Sequence, residues 1–271
     1  MKKERVDVLA FQQGLFETRE QAKRGVMAGT VYTQKNQRLD KAGEKIPQDT
    51  VLKLIGEQLP YVSRGGLKLE RALKVFGLQV KDKILLDIGA STGGFTDCAL
   101  QNGAKLSYAL DVGYNQLAWK IRQDPRVVVM ERTNFRYCKP SDFTYGEPEI
   151  ATIDVSFISL KKILPALYPI LADKGEVMAL IKPQFEAGRT SVGKKGIIRD
   201  PLVHQEVLAD ILDFTLQKNY DVEAIDYSPV TGGQGNIEFI VHLKKSEQLG
   251  IDQSDISISQ LVAKAHDKLN K

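Results

Sequence analysis

Residues 83–97 read KILLDIGASTGGFTD. Leu85, Leu86 and Ile88 make the opening segment apolar on both faces, as a strand covered from two sides must be, and a glycine-rich turn follows at once. Gly89 permits the tight turn. Gly93 and Gly94 would let a ligand approach the main chain, and they open a helical stretch whose N-terminus points back at the turn. Asp87 adds an acceptor at the strand's end. The same strand-then-helix unit repeats downstream. Further strand segments lie at 106–112, 126–130, 149–154, 176–182, 221–228 and 237–243, and helical stretches at 94–102, 114–122, 160–171 and 201–218. This alternation predicts an α/β domain, Rossmann-like, with a mostly parallel seven-stranded sheet covered by helices on both faces. In such sheets ligands bind outside the carboxyl ends of the strands, near the switch in strand order.

Two cofactor classes use this plan. A nicotinamide dinucleotide needs GxGxxG, so that its pyrophosphate can sit on the helix N-terminus. The spacing here is GxxxGG, with Thr92 where that fingerprint avoids bulk. Asp111 closes the second strand, where a carboxylate can take both hydroxyls of a ribose. The combination suits S-adenosylmethionine, which carries a ribose, an adenine and a charged amino acid tail but no phosphates. The candidate cofactor residues are Asp87, Gly89, Ser91, Thr92, Gly93, Gly94 and Phe95 in and after the turn, Asp111 and Val112 after the second strand, and Asn134 after the third. The Asn134 carbonyl oxygen is expected to accept from the adenine amino group.

Composition narrows the setting. The 271 residues are 42% hydrophobic and 27% charged, the balance of an ordinary globular protein. No run approaches the roughly 18 apolar residues of a membrane span, and no apolar segment follows the charged start MKKER, so a cytoplasmic location away from membranes is expected. Cys98 and Cys138 have neither CxxC nor ligand spacing, so no disulfide and no metal site is expected. Charge is uneven: residues 1–75 hold 15 Lys/Arg against 9 Asp/Glu, whereas 76–271 hold 23 against 25. A local basic surplus is what a polyanion-binding face needs, although a solvated lysine-rich surface looks the same by charge alone.

The pattern of that first quarter favours the former. Val6, Leu9, Ala10 and Gln13 recur at helical spacing. Thr18 with Gln21 three residues on makes a capping box for a second helix ending near Gly29, and short strands follow at Val31–Tyr32 and 50–55. Arg19 and Lys23 share a face of the second helix, beside Arg24. The stretch ERVDVLAFQQGLFETREQAKRGVMAGTVYTQ resembles the small RNA-binding module first known from ribosomal protein S four, over residues 4–55. That resemblance implies that Arg5, Arg19, Lys23 and Arg24 approach RNA phosphates. The expected organisation is an α+β RNA-binding domain over 1–58, a linker over 59–66 that carries Arg64 as a further RNA contact, the α/β domain over 67–246, and a helical tail over 247–271.

The remaining chemistry sits at strand ends. The fourth strand closes on Asp154 and the fifth on Lys182, with Pro183 expected to end the ladder there. Neighbouring parallel strands are about 4.8 Å apart, so carboxylate and ammonium can touch beside a bound methyl donor, where each tunes the other's ionisation. VSRGGLKLERAL, DIGASTGGFT, DVGYNQLAW, DPRVVVMERTN, DVSFISL, IKPQFE and GNIEF then follow one another as in the TlyA, or hemolysin A, family of FtsJ-like ribose 2′-O-methyltransferases, which the chain resembles over 4–244. The resemblance implies a catalytic tetrad of Lys68, Asp154, Lys182 and Glu238, S-adenosylmethionine as methyl donor, and cytidine ribose in ribosomal RNA or ribosomal subunits as acceptor. Lys182 is expected to deprotonate the 2′-hydroxyl. The basic stretch 186–200 could close over RNA. A non-catalytic ribosome assembly factor and a membrane-acting hemolysin are the competing readings. Against them stand the intact tetrad and the lack of a signal or spanning segment. The methylated nucleotide, the subunit and the oligomeric state stay open.

Overall fold

The computed structural model describes residues 2–16, 18–27, 29–55, 59–188, 193, 196–232 and 235–269, without the side chain of Arg24. The expected Arg24 contact and residues 189–192 and 194–195 of the basic stretch therefore lie outside the described residues. The chain divides into two compact units, Met1–Gln58 and Leu59–Lys271.

In the first unit, β1 (Lys3–Arg5) leads directly into α1 (Val6–Gln12), and α2 (Arg19–Met27) follows. Then come β2 (Val31–Thr33), β3 (Arg38–Leu39), β4 (Lys45–Pro47) and β5 (Leu52–Leu54). β1 pairs with β4, while β2 lies between β3 and β5, all antiparallel. Val6, Leu9, Ala10, Ala22 and Val26 bury the facing sides of the two helices together with Val31, Leu39 and Leu52. The capping box forms: the Gln21 amide donates to Thr18 Oγ1 at 3.1 Å, and the Thr18 amide donates to Gln21 Oε1 at 3.2 Å. β1 and β4 escaped the sequence reading because both are only three residues long, one all charged and the other ending in Pro47, so only their pairing reveals them.

The second unit opens with α3 (Gly65–Phe76), then β6 (Ile84–Ile88), α4 (Gly94–Gln101), β7 (Leu106–Leu110), α5 (Trp119–Arg122) and β8 (Val127–Met130). It continues through β9 (Ile150–Ile153), α6 (Leu164–Leu167), β10 (Glu176–Ile181), α7 (Pro183–Glu186), α8 (Pro201–Gln217), β11 (Tyr220–Tyr227), β12 (Phe239–Lys245) and α9 (Ile258–Leu269). The sheet order is β11-β12-β10-β9-β6-β7-β8, with β12 antiparallel to both neighbours and the other pairings parallel. Alternate residues feed two cores. Val177, Ala179 and Ile181 of β10 face the side covered by α6, α8 and α9, while Met178 and Leu180 face the side of α3 and α4. Each buried Val, Ile, Met or Leu among them contributes about 1.5–3 kcal/mol by leaving water, which is why these strands read as unbroken apolar runs. β6 lies between β7 and β9, so the switch in strand order, and the crevice it creates, sits at the carboxyl ends of β6 and β9.

Three expected elements differ. The helix read over 114–122 shrinks to α5, because residues 111–118 instead wrap the glycine turn, with the Ala118 amide donating to Thr92 O. The stretch 160–171 splits into a 3₁₀ turn (Leu160–Lys162) and α6, where Pro165 in the first turn lacks the amide that a continuous helix needs. Pro183 does more than stop the ladder: it opens α7, the position where a missing amide is harmless. The tail is packed, with Leu261, Val262 and Ala265 of α9 buried in the same core as α8 and β11.

Candidate active site

Asp154 and Lys182 each follow the last residue of their strands, β9 and β10, which are parallel neighbours in register at Ile153 and Ala179. Lys182 Nζ makes a close ion pair with Asp154 Oδ1 and lies 3.5 Å from Ser156 Oγ. Lys68 comes from the first turn of α3, where it shares the buried face with Leu69 and Ala72. Its Nζ donates to Asp154 Oδ2 at 3.3 Å and to Glu238 Oε2 at 2.8 Å. Glu238 stands immediately before β12 and is only 2% exposed. Gly232 leaves room for it, since a Cβ there would lie 2.0 Å from Glu238 Oε1. The structure thus brings Lys68, Asp154, Lys182 and Glu238 into one contiguous cluster at the carboxyl edge of the sheet. Two ammoniums and two carboxylates cancel formally, which is what lets four ionisable groups share a nearly dry site.

The electrostatics follow from that arrangement. Burial disfavours the Lys68 ammonium, but the Asp154 and Glu238 carboxylates outweigh it and raise its pKa. Burial likewise disfavours the Asp154 carboxylate, and the charges of Lys68 and Lys182 overcome it, holding the group below its usual range.

The glycine turn abuts this cluster. Gly89, at φ 89°, lies so close to the exit of β9 that a Cβ would come within 2.5 Å of Asp154 O. Gly93 and Gly94 are also approached closely by protein. A Cβ at Gly93 would meet Leu117, and one at Gly94 would lie 2.3 Å from Ser63 Oγ and 2.9 Å from Gly66 N. Gly94 therefore lets the start of α3, and Lys68 with it, settle against α4.

Two other expected ligand contacts, Asp87 and Phe95, turn inward. Asp87 is 1% exposed, and its carboxylate accepts from Thr96 N and Oγ1 at 3.1 and 2.7 Å and from Thr152 Oγ1 at 3.1 Å. It bolts α4 and β9 onto β6 instead of serving as an open acceptor, and burial pushes its pKa up to about 7 against those hydrogen bonds. Phe95 is buried with Leu69 and Ala99 in the core beneath α3. At the surface, Asn134 Oδ1 caps the following 3₁₀ turn, accepting from Arg136 N and Nε at 3.2 and 3.3 Å.

What stays at the rim fits a nucleoside bearing a ribose diol. Asp111 Oδ2 accepts from Ser91 N at 2.8 Å and Oδ1 from Gly113 N at 2.7 Å, leaving each oxygen capacity for a further donor. Ser91 is exposed, Thr92 half-buried, and Val112 offers an apolar surface that is 70% exposed. No group of His, Cys, Asp or Glu among the described residues could hold a metal ion.

A sequence profile of the FtsJ-like methyltransferase family matches residues 61–245. The chain belongs to the FtsJ-like methyltransferase family. Within that family, a Bacillus subtilis protein named as a candidate rRNA methyltransferase, YqxC, is 61% identical over 272 residues, covering 100% of this chain and 96% of the relative. The Mycobacterium tuberculosis 16S/23S rRNA (cytidine-2′-O)-methyltransferase TlyA is 37% identical over 246 residues, 89% of each chain. A solved structure described as a candidate hemolysin from Streptococcus thermophilus superposes with a TM-score of 0.80 at 59% identity, covering 100% of this chain and 98% of that one. No helix among the described residues is long and apolar enough to cross a membrane.

The FtsJ-like site also holds residues that sequence reasoning missed. Phe157, three residues after Asp154, is held at φ 63° with 91% of its surface exposed, and its ring centroid lies 5.0 Å from that of Phe185. Lys182 Nζ lies 5.8 Å from the centre of the Phe185 ring. An exposed aromatic in left-handed backbone, next to a charged cluster, is a costly placement unless the face is used. Of the expected RNA contacts, Arg64 is exposed at the N-cap of α3. In the first unit, buried Asp7 binds Arg5 through both oxygens at 2.9 and 3.0 Å and Arg19 at 3.4 Å, and both arginine side chains stay partly exposed. Lys23 pairs loosely with Glu20 at 4.0 Å.

Proposed function

We propose that this methyltransferase uses S-adenosylmethionine to methylate the 2′-hydroxyl of a cytidine in ribosomal RNA, with Lys182 as the group that takes the hydroxyl proton. The observation that carries the reading is the buried Lys68–Asp154–Lys182–Glu238 cluster set against the glycine turn at Gly89. S-adenosylmethionine supplies a transferable methyl and a positive sulfonium. Beside that charge, loss of one proton from Lys182 to solvent leaves the neighbourhood electrically balanced, with Asp154 still a carboxylate that holds the Lys182 nitrogen in place. Lys182 can then accept the 2′-hydroxyl proton as the oxygen–carbon bond forms and the sulfur–carbon bond breaks in line. Lys68 bridges Asp154 and Glu238.

Asp111 and Ser91 would hold the ribose and amino acid portions of the cofactor, with Val112 against the adenine. The Phe157–Phe185 pair offers a stacking face for a nucleobase lifted out of its helix. Arg5, Arg19 and Lys23, on a first unit read as an RNA-binding module, and Arg64 in the second would contact phosphates, at work in the cytoplasm where ribosomes are. A purely structural reading would leave two lysines and two carboxylates buried together without a use, an arrangement that apolar residues would replace at no loss of stability.

The test uses labelled S-adenosylmethionine with ribosomal subunits from a strain lacking the enzyme. Label should enter RNA and survive alkaline hydrolysis as a cytidine dinucleotide resistant to cleavage, because a 2′-O-methyl group blocks attack on the adjacent phosphate. Label in a base, or none in RNA, would refute the proposal.

A further inference from the structure

IKPQFE turns from β10 into the single turn of α7, and that turn carries Gln184 to the far side of the ionic cluster. Gln184 Nε2 donates to Glu238 Oε1 at 3.1 Å, while Lys68 takes Oε2 at 2.8 Å. Each Glu238 oxygen thus has one donor, one neutral and one charged. A reversed amide would press two acceptors together, so the chemistry itself fixes the donor. The other end of the same amide is left wanting: Gln184 Oε1 is buried and has no hydrogen-bond partner among the described residues. A buried acceptor without a donor is disfavoured, and folds keep one where the rest of the group is needed.

The need is visible in how Lys68 is shared. Its Nζ lies 2.8 Å from Glu238 but 3.3 Å from Asp154, so the two carboxylates compete for one ammonium. If Glu238 had no second donor it would draw Lys68 closer and loosen its hold on Asp154. A cation in place of Gln184 would satisfy Glu238 but upset the formal neutrality of the cluster. A neutral amide avoids both.

We propose that Gln184 is a positioning residue for methyl transfer, which fixes the Glu238 carboxylate so that Lys68 stays shared with Asp154 and Asp154 stays oriented toward Lys182. The inference rests on the catalytic reading of the cluster above. Gln184 touches neither the reacting oxygen nor the methyl donor in this scheme, so it should govern kcat and its pH dependence rather than cofactor affinity.

The experiment compares full-length wild type, Gln184→Leu, Gln184→Glu and Lys182→Ala. Methyl transfer to ribosomal subunits is measured from pH 6 to 10, and S-adenosylmethionine affinity is measured through Trp119, the only tryptophan, which is exposed beside the glycine turn. Gln184→Leu should lower kcat by about ten- to a hundredfold, the effect of losing one hydrogen bond to a charged group, with cofactor Kd within about twofold of wild type. Gln184→Glu adds a third carboxylate that holds the cluster's protons more tightly, so the acidic limb of its pH–rate profile should move up by about one unit. Wild-type kcat in Gln184→Leu, or a loss shared with cofactor binding and no shift of the Gln184→Glu profile, would overturn the inference. Activity in Lys182→Ala would instead remove the catalytic reading beneath it, so the two failures are told apart.

Discussion

Replacing Lys68 with Met removes the cation that the buried Glu238 and half-buried Asp154 carboxylates share. The Lys68 and Glu238 side chains are 9% and 2% exposed, so water cannot replace the lost partner. Breaking a buried pair from one side costs about 3–5 kcal/mol. At about 2–4 °C per kcal/mol for a unit of this size, Lys68→Met should melt about 10 °C below wild type. The sign with pH is fixed as well. The folded pKa of Lys68 is raised, so its stabilisation is fully present below the unfolded value of about 10.4 and is lost only as pH rises through the folded one. The wild-type contribution of the Lys68 ammonium should therefore be undiminished from pH 6 to 9. Adding Glu238→Leu removes the stranded carboxylate and should recover at least half of the stability, because an apolar pair tolerates burial that a lone charge does not. Neither variant should transfer methyl groups. Urea titrations followed by circular dichroism measure all of this. A Lys68→Met deficit under about 1 kcal/mol, or a double variant no more stable than the single one, would refute the description of the cluster as mutually dependent.

Asp87 makes a second pH test. Its folded pKa of about 7 lies above the ordinary carboxylate range, so the native state holds an extra proton between about pH 4 and 7 and stability falls as pH rises through that window. Asp87→Asn should match wild type in urea midpoint near pH 4 and exceed it by pH 8; a gap independent of pH would contradict the assignment. Gly94→Ala should lose about 1–3 kcal/mol and most of its turnover, because the added Cβ collides with the backbone amide of Gly66 as well as with Ser63. Adding Ser63→Ala should not restore it. Unchanged melting and turnover in Gly94→Ala would show that α3 can shift without moving Lys68.

The sheet was legible in the sequence because its strands are buried on both faces, so Ile84–Ile88 and Glu176–Ile181 stand out without any pairing information. The meeting of Asp154 with Lys182 followed from the same rule, as adjacent parallel strands end at one edge. Lys68 and Glu238 did not follow from it. One lies on a helix ahead of the sheet and the other before an antiparallel strand, and only the resemblance to a known family pointed to them. Asp87 and Phe95 were read as ligand contacts from their places in the motif, whereas Thr96, Thr152 and the core under α3 claim their side chains. Sequence position shows which strand end a residue occupies, but not which neighbours engage it first. Gln184 left no signal, since a glutamine after Lys-Pro reads as an ordinary loop residue.

The central claim is that Lys182 removes the 2′-hydroxyl proton within this cluster. It is tested most directly by Lys182→Ala, assayed for methyl transfer to cytidine ribose alongside S-adenosylmethionine binding. The expected result is intact cofactor affinity with transfer reduced by about 10²–10⁴-fold, the range that a positioned general base contributes. Transfer at the wild-type rate with the same cofactor affinity would contradict the account.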